Sequence, residues 1–169
     1  MAANASENSG YIQYIQGQRG PVPLDPSFSI PLGQGDLKRE GTDVTLVTYG
    51  RGLLESLAAA ATLEAEGISA EVLDLRCLVP LDIPLLLESV SKTRRAVVVH
   101  DAVRFVGPGA EVSSILHEEL FDRLEAPVQR LGARSVPNPG NPALEAQIYP
   151  NAEGIVAAVR RTLGRSEEG

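Results

Sequence analysis

The sequence predicts an α/β domain, a three-layer α/β/α sandwich around a mostly parallel sheet of about five strands. Three observations predict it. Short runs rich in Val, Leu and Thr alternate with longer stretches of helical spacing. At least one of those runs is apolar on successive residues, as a strand covered on both faces is. Gly, Pro and Asn punctuate the joints.

Each element has its own warrant. TDVTLVTYG, residues 42–50, is a β-branched run closed by Gly50. Residues 51–67 carry Leu54, Leu57 and Ala61 at helical spacing and stop on Gly67, a natural residue just past a helix end. ISAEVLDL, 68–75, is the second strand. Residues 81–93 form a helix with Asp82 as N-cap and Pro84 in the first turn, where a missing N–H costs nothing. RRAVVVHDA, 94–102, is the third strand, apolar on successive residues. The helix over 108–124 begins at Pro108 and aligns Val112, Ile115, Leu116, Leu120 and Leu124 on one face. APVQRLGA, 126–133, is the fourth strand. A Pro/Asn/Gly loop at 137–142 leads to a short helical turn near 143–147. Asn151 caps the last helix, 151–164, with Glu153 in its first turn. FSIPLG, 28–33, is the candidate for an added edge strand.

The chain has 169 residues, 43% of them hydrophobic, which suits one domain with a proper core. There is no Trp, with three Phe and four Tyr, so that core is aliphatic. Residues 1–26 are rich in Asn, Ser, Gly, Gln and Pro without period; they read as a linker or a segment of artificial origin, with something normally preceding it. The domain proper is 27–164, and 165–169 is a loose tail. The formal charge of −7 argues against nucleic acid as a partner. No apolar run reaches the roughly 18 residues of a membrane span. Cys77 is the single cysteine, which forbids an internal disulfide and suggests a reducing, cytoplasmic setting.

In such sheets ligands sit beyond the carboxyl ends of the strands. The chemistry there is thin. His100 and Asp101 close the third strand and could serve as acid and base, but structural packing or a subunit contact is the stronger reading. VGPGAE, 106–111, resembles a phosphate turn, yet Pro108 removes a donor and Glu111 would repel an anion, so tight strand–helix packing is favoured. His117-Glu118-Glu119 begins like a zinc motif that Phe121 then breaks. Ser113 and Ser114 lack a nucleophile-elbow context. Asp74 and Arg76 have the spacing that places both on one face of a strand, where they need partners: each other, a neighbouring strand or another subunit. From residue chemistry alone, this is an α/β domain without a self-contained active site.

The order of motifs resembles a specific family. IPLGQGDLKREGTDVTLVTYG, EGISAEVLDLRCLVPLD, VVVHDA with GPGAEV, LEAPVQRLGA and IYPNAEGIVAAVR together resemble the C-terminal, transketolase-C-like domain of the beta subunit of 2-oxoacid dehydrogenase decarboxylating components, the pyruvate and branched-chain enzymes. The resemblance runs from about Ile30 to Leu163. It implies a part of an enzyme. Thiamine diphosphate, with magnesium, belongs between the alpha subunit and an upstream beta-subunit domain, so this chain is expected to hold no cofactor and no catalytic residue, and to be inactive alone. The implied partners are the alpha subunit, a second beta subunit and the subunit-binding domain of the dihydrolipoyl acyltransferase core.

The resemblance maps the acyltransferase contact onto Phe121, Glu125 and Gln129; Gln129 stands where some relatives carry an acid. It assigns Asp74, Arg76, His100, Asp101, Gly107, Gly109 and Glu111 to subunit contacts. Asp74 and Arg76 match the family's DLR and read as a strand-end charge pair, so that Arg76→Ala is expected to cost about 1–3 kcal/mol. The chain departs from the family at His100-Asp101-Ala102 and Val106-Gly107-Pro108, where relatives often read HEA and a GGF turn, and at Arg134–Pro137, where a DTP-like stretch is usual. Three alternatives remain: a transketolase or deoxyxylulose-phosphate synthase C-terminal domain, a stand-alone phosphate- or nucleotide-binding module using GPGAEV, and a ketoacid oxidoreductase fragment, for which iron–sulfur cysteines are missing.

Overall fold

A computed structural model describes residues 29–137 and 140–165. Residues 1–26 and 166–169 therefore lie outside the described part, and the linker and tail expectations with them. The described chain forms strands β1 (Asp36–Arg39), β2 (Val44–Thr48), β3 (Ala70–Asp74), β4 (Ala96–Val103) and β5 (Gln129–Ala133). It forms helices α1 (Gly52–Ala65), α2 (Ile83–Thr93), α3 (Pro108–Leu120), α4 (Pro142–Glu145) and α5 (Ala152–Thr162). The sheet order is β1-β3-β2-β4-β5. β2, β3, β4 and β5 are mutually parallel, and β1 alone runs antiparallel, on β3.

The predicted three-layer sandwich is thus the observed one, and its alternating faces explain the unbroken apolar runs. Val44, Leu46, Val72, Val97 and Val99 point to one side, where Ala59 and Leu63 of α1 and Ile155 and Val159 of α5 cover them. Val47, Leu73, Ala96 and Val98 point to the other, under Leu86 and Val90 of α2 and Val112, Leu116 and Leu120 of α3. Full burial of each such Leu or Val side chain contributes about 1.5–3 kcal/mol.

The caps behave as their residue types dictate. The Asp82 carboxylate accepts from Leu85 N–H at 3.2 Å, and the Asn151 side chain accepts from Gly154 N–H at 2.9 Å. Gly67 takes φ +75° past α1.

Three expectations need correction. The edge strand is DLKR, 36–39, and residues 29–33 are irregular, with Leu32–Gly33 in a turn and Gly33 at φ +76°. DLKR escapes sequence reading because it is short and polar, as an edge strand that must not recruit neighbours tends to be. β5 starts at Gln129, not at 126, since Pro127 has no N–H to give a ladder. α3 ends at Leu120; Leu124 still packs on the core, but from the turn beyond.

Candidate interface at the carboxyl edge of the sheet

The carboxyl ends of β2, β3, β4 and β5 gather three kinds of group. The first is a caged imidazole. His100 ends the buried part of β4 and has no solvent exposure. A Cβ on Gly109 would lie 2.4 Å from its Nε2, one on Gly132 2.7 Å from its Cε1, and one on Gly107 2.9 Å from its Cε1. Only glycine admits the ring at these positions, so the GPG turn serves close packing, as its sequence suggested. The Tyr49 ring stacks nearby, centroids 6.3 Å apart and 9° from parallel. Neither ring nitrogen has a hydrogen-bond partner. Burial, foremost, pushes the His100 pKa down; the Ala102 backbone opposes this, and the Arg130 charge adds a smaller push downward. The ring is therefore neutral at neutral pH and held by shape.

The second group is a polar cluster on the α1 side of β4. Burial pushes the Asp101 carboxyl up; the Arg51 charge opposes this and Glu55 reinforces it. Burial, then Asp101, raises Tyr49 in the same way. Glu55 ties the cluster to α5, accepting from Ala152 N–H at 3.0 Å, and lies 3.7 Å from Arg51, whose guanidinium covers the Tyr149 ring. These contacts brace the domain. They present no nucleophile with a base in reach.

The third group is an apolar rim. Leu78, Val79, Val103, Phe105, Val106 and Val136 are all exposed at the end of β4 and on the loops leaving β3, β4 and β5, Val79 to 88%. These exposed apolar side chains lie at the same end of the sheet as the other two groups.

The remaining predicted residues, Gly107 and Gly109 of the cage aside, fall outside these groups. Asp74 and Arg76 do not form a mutual side-chain pair. β3 ends at Asp74 and Arg76 takes φ +53°, so the strand alternation that would align them no longer applies. Asp74 instead accepts Arg76 main-chain N–H at 3.1 Å, while the Arg76 guanidinium reaches across to Asp36 of β1. Burial pushes the Asp74 carboxyl up. Gly107 and Gly109 are buried by their own domain, and Glu111 is exposed in the first turn of α3. At the far end of α3, Phe121 is 76% exposed. Glu125 is already held by Arg94, at 2.6 Å, and by Arg95. Gln129 opens β5, half-buried.

Sequence reading missed two partners and one network. Asp36 was invisible while its strand was. Glu71 is fully buried in β3 and meets Ser89 and Lys92 on α2. The hint was a lone acid inside an apolar strand, but its cation lies 21 residues on.

Fold and site together define an α/β domain whose carboxyl edge carries a caged histidine, a braced polar cluster and exposed apolar side chains. Residues 33–155 match the family described as transketolase, C-terminal domain, and the chain belongs to it. Among curated proteins it is 41% identical over 157 residues to the mitochondrial pyruvate dehydrogenase E1 component subunit beta of Pisum sativum, covering 91% of this chain and 44% of that one. It is 43% identical over 145 residues to the corresponding subunit of Bacillus subtilis, covering 86% and 44%. The beta subunit of acetoin:2,6-dichlorophenolindophenol oxidoreductase of the same organism is 40% identical over 146 residues, at 86% and 42%. The chain thus spans less than half the length of these relatives. Among solved structures, one described as a split-gene transketolase, inactive beta4 tetramer, superposes with a TM-score of 0.74 at 30% identity, covering 98% of this chain and 57% of that one.

Proposed function

We propose that this chain is the C-terminal assembly domain of a thiamine diphosphate-dependent 2-oxoacid dehydrogenase beta subunit. In the intact enzyme a 2-oxoacid is oxidatively decarboxylated and its acyl group passed to lipoyl groups. The domain's part is to pair beta subunits, brace the alpha subunit and the cofactor-bearing domain, and dock the acyltransferase core, in the cytoplasm. The observation that carries the reading is the identity of about 40% to E1 beta subunits along nearly the whole chain. The apolar rim and the exposed Phe121 support contact surfaces, and the tetramer of beta chains in the split-gene relative supports self-association.

The described residues do not fit thiamine diphosphate and magnesium. No three carboxylate, His or Cys groups among them converge on a cation position. The turn opening α3 lacks an N–H at Pro108, buries its glycines against His100, and adds Glu111. No reaction step is therefore assigned to these residues. When bound elsewhere, the cofactor supplies the carbanion chemistry; this chain supplies shape.

The relatives' names favour pyruvate, with acetoin as the near variant. A second reading, the beta chain of a split-gene transketolase, is favoured by the solved structure. Two measurements test the proposal. The purified chain with thiamine diphosphate, magnesium and pyruvate, acetoin or a ketose phosphate should turn nothing over. It should bind an acyltransferase subunit-binding domain, less tightly after Phe121→Ala. Turnover by the chain alone, or failure to bind that domain, would overturn it.

A further inference from the structure

A cleft of about 320 Å³ opens beside the caged histidine, lined by Arg104, Phe105, Arg130, Gly132, Ala133, Arg134 and Ser135. Three of its seven lining residues are arginines, on a chain whose formal charge is −7. Six other arginines, Arg39, Arg51, Arg76, Arg94, Arg95 and Arg160, each have a carboxylate partner. Arg104, Arg130 and Arg134 form no ion pair among the described residues. Arg104 Nε donates to the Arg130 carbonyl at 3.2 Å, which fixes its stem beside the cleft. Arg104 N–H donates to the Ala133 carbonyl, and Arg134 N–H to that of Ile148, so the backbone beneath both side chains is pinned.

Three like charges gathered without counter-charge repel one another unless an anion joins them. Guanidinium forks match phosphate and carboxylate oxygens in pairs, and several together favour a multiply charged oxyanion. The volume suits a small molecule more than a protein segment. Phe105, 79% exposed, adds an apolar wall for the uncharged remainder of a ligand. The loop carrying it is held away from relaxed geometry: Val106, β-branched, sits at φ +55°. Such conformations cost about 1–3 kcal/mol and cluster at binding sites.

We propose that this arginine cleft at the carboxyl ends of β4 and β5 binds a small phosphate-bearing anion without a metal ion. The site is separate from the glycine turn at the start of α3 and does not rest on the proposed function.

The test is a ¹H–¹⁵N NMR titration of the 169-residue chain with inorganic pyrophosphate in EDTA. Saturable shifts are expected at Arg104, Phe105, Gly132 and Ser135. Arg130→Ala and Arg134→Ala should each raise the dissociation constant at least about tenfold, the worth of one charge-assisted pair. Arg161→Ala, on the exposed side of α5, should leave it unchanged. Spectral dispersion reports that each variant is folded. The absence of saturable shifts, or equal weakening by Arg161→Ala, would overturn the site; tighter binding of citrate than of pyrophosphate would overturn its phosphate preference.

Discussion

Two ionisable side chains of this domain are wholly buried among otherwise apolar strands, Glu71 on β3 and His100 on β4, and they are held in opposite ways. Glu71 has a partner for each oxygen. Ser89 Oγ donates to Oε1 at 2.5 Å, Gly41 N–H to Oε2 at 3.2 Å, and Lys92 pairs with Oε2. The network runs on through Ser89 to Thr45, and from Thr45 to Thr93 at 2.7 Å. His100 has no partner on either nitrogen and three glycines around it. The first residue is fixed by bonds and locks α2 to the sheet. The second is fixed by exclusion: the backbone comes so close that no other side chain fits around it. Bonds tolerate crowding and fail when a partner is lost; a cage tolerates loss and fails when crowded.

Substitutions can break that contrast. The largest effect should come from Glu71→Ala, which strands Lys92, Ser89 and the Gly41 N–H. Breaking a buried pair typically costs 3–5 kcal/mol, and because Lys92 is partly exposed, about 3 kcal/mol is expected in urea denaturation. A loss under about 1 kcal/mol would mean that the network is ornamental.

Next should be Gly109→Ala, whose new methyl meets the imidazole. Overpacking of this kind costs about 2 kcal/mol. The double variant with His100→Ala should recover part of that loss, since the two sites share one space. Additive losses would show that the glycine serves the backbone alone.

The third effect is one of pH. The folded pKa of His100 is depressed, so the unfolded chain takes its proton first. The stability it protects is present above the unfolded value near 6.5 and is lost as pH falls from there toward the folded pKa. Asp74 and Asp101, whose carboxyls are raised, act in the opposite sense, gaining relative stability as acid is added through their folded pKa values. The difference between the chain and its His100→Leu variant isolates the histidine. The variant's melting temperature should fall less between pH 7 and pH 5; parallel curves would contradict a neutral, unpartnered imidazole.

The smallest effect should come from Arg76→Ala. Its pair with Asp36 is solvated on both sides, and such pairs contribute at most about 1 kcal/mol. The larger loss that a buried Asp74–Arg76 pair would have implied is no longer expected. A loss well above that figure would mean that the arginine supports more than its visible partner.

These residues also mark how far the sequence could be read. Alternation of strand and helix placed four of the five strands and every helix to within a few residues, because apolar spacing is local and caps such as Asp82 and Asn151 announce themselves. β1 was missed, since an edge strand of Asp, Leu, Lys and Arg carries no apolar period. Glu71 was overlooked while Asp74 and Arg76 drew notice, because a bonded network is a fact of tertiary distance. The cage was legible in part: glycines 107 and 109 read as packing residues, but Gly132, from another strand, could join them only in space. The arginine cleft is formed by the ends of two strands 26 residues apart, a separation no local pattern reveals.

The central claim is that the carboxyl edge of the sheet is a surface for other protein chains. Sedimentation of the purified chain across the micromolar range tests it most directly, with Val79→Glu as the probe of the rim. The account predicts concentration-dependent self-association that Val79→Glu abolishes while the melting temperature stays unchanged. A chain that sediments as a monomer throughout, or a Val79→Glu variant that associates as well as the parent, would contradict it.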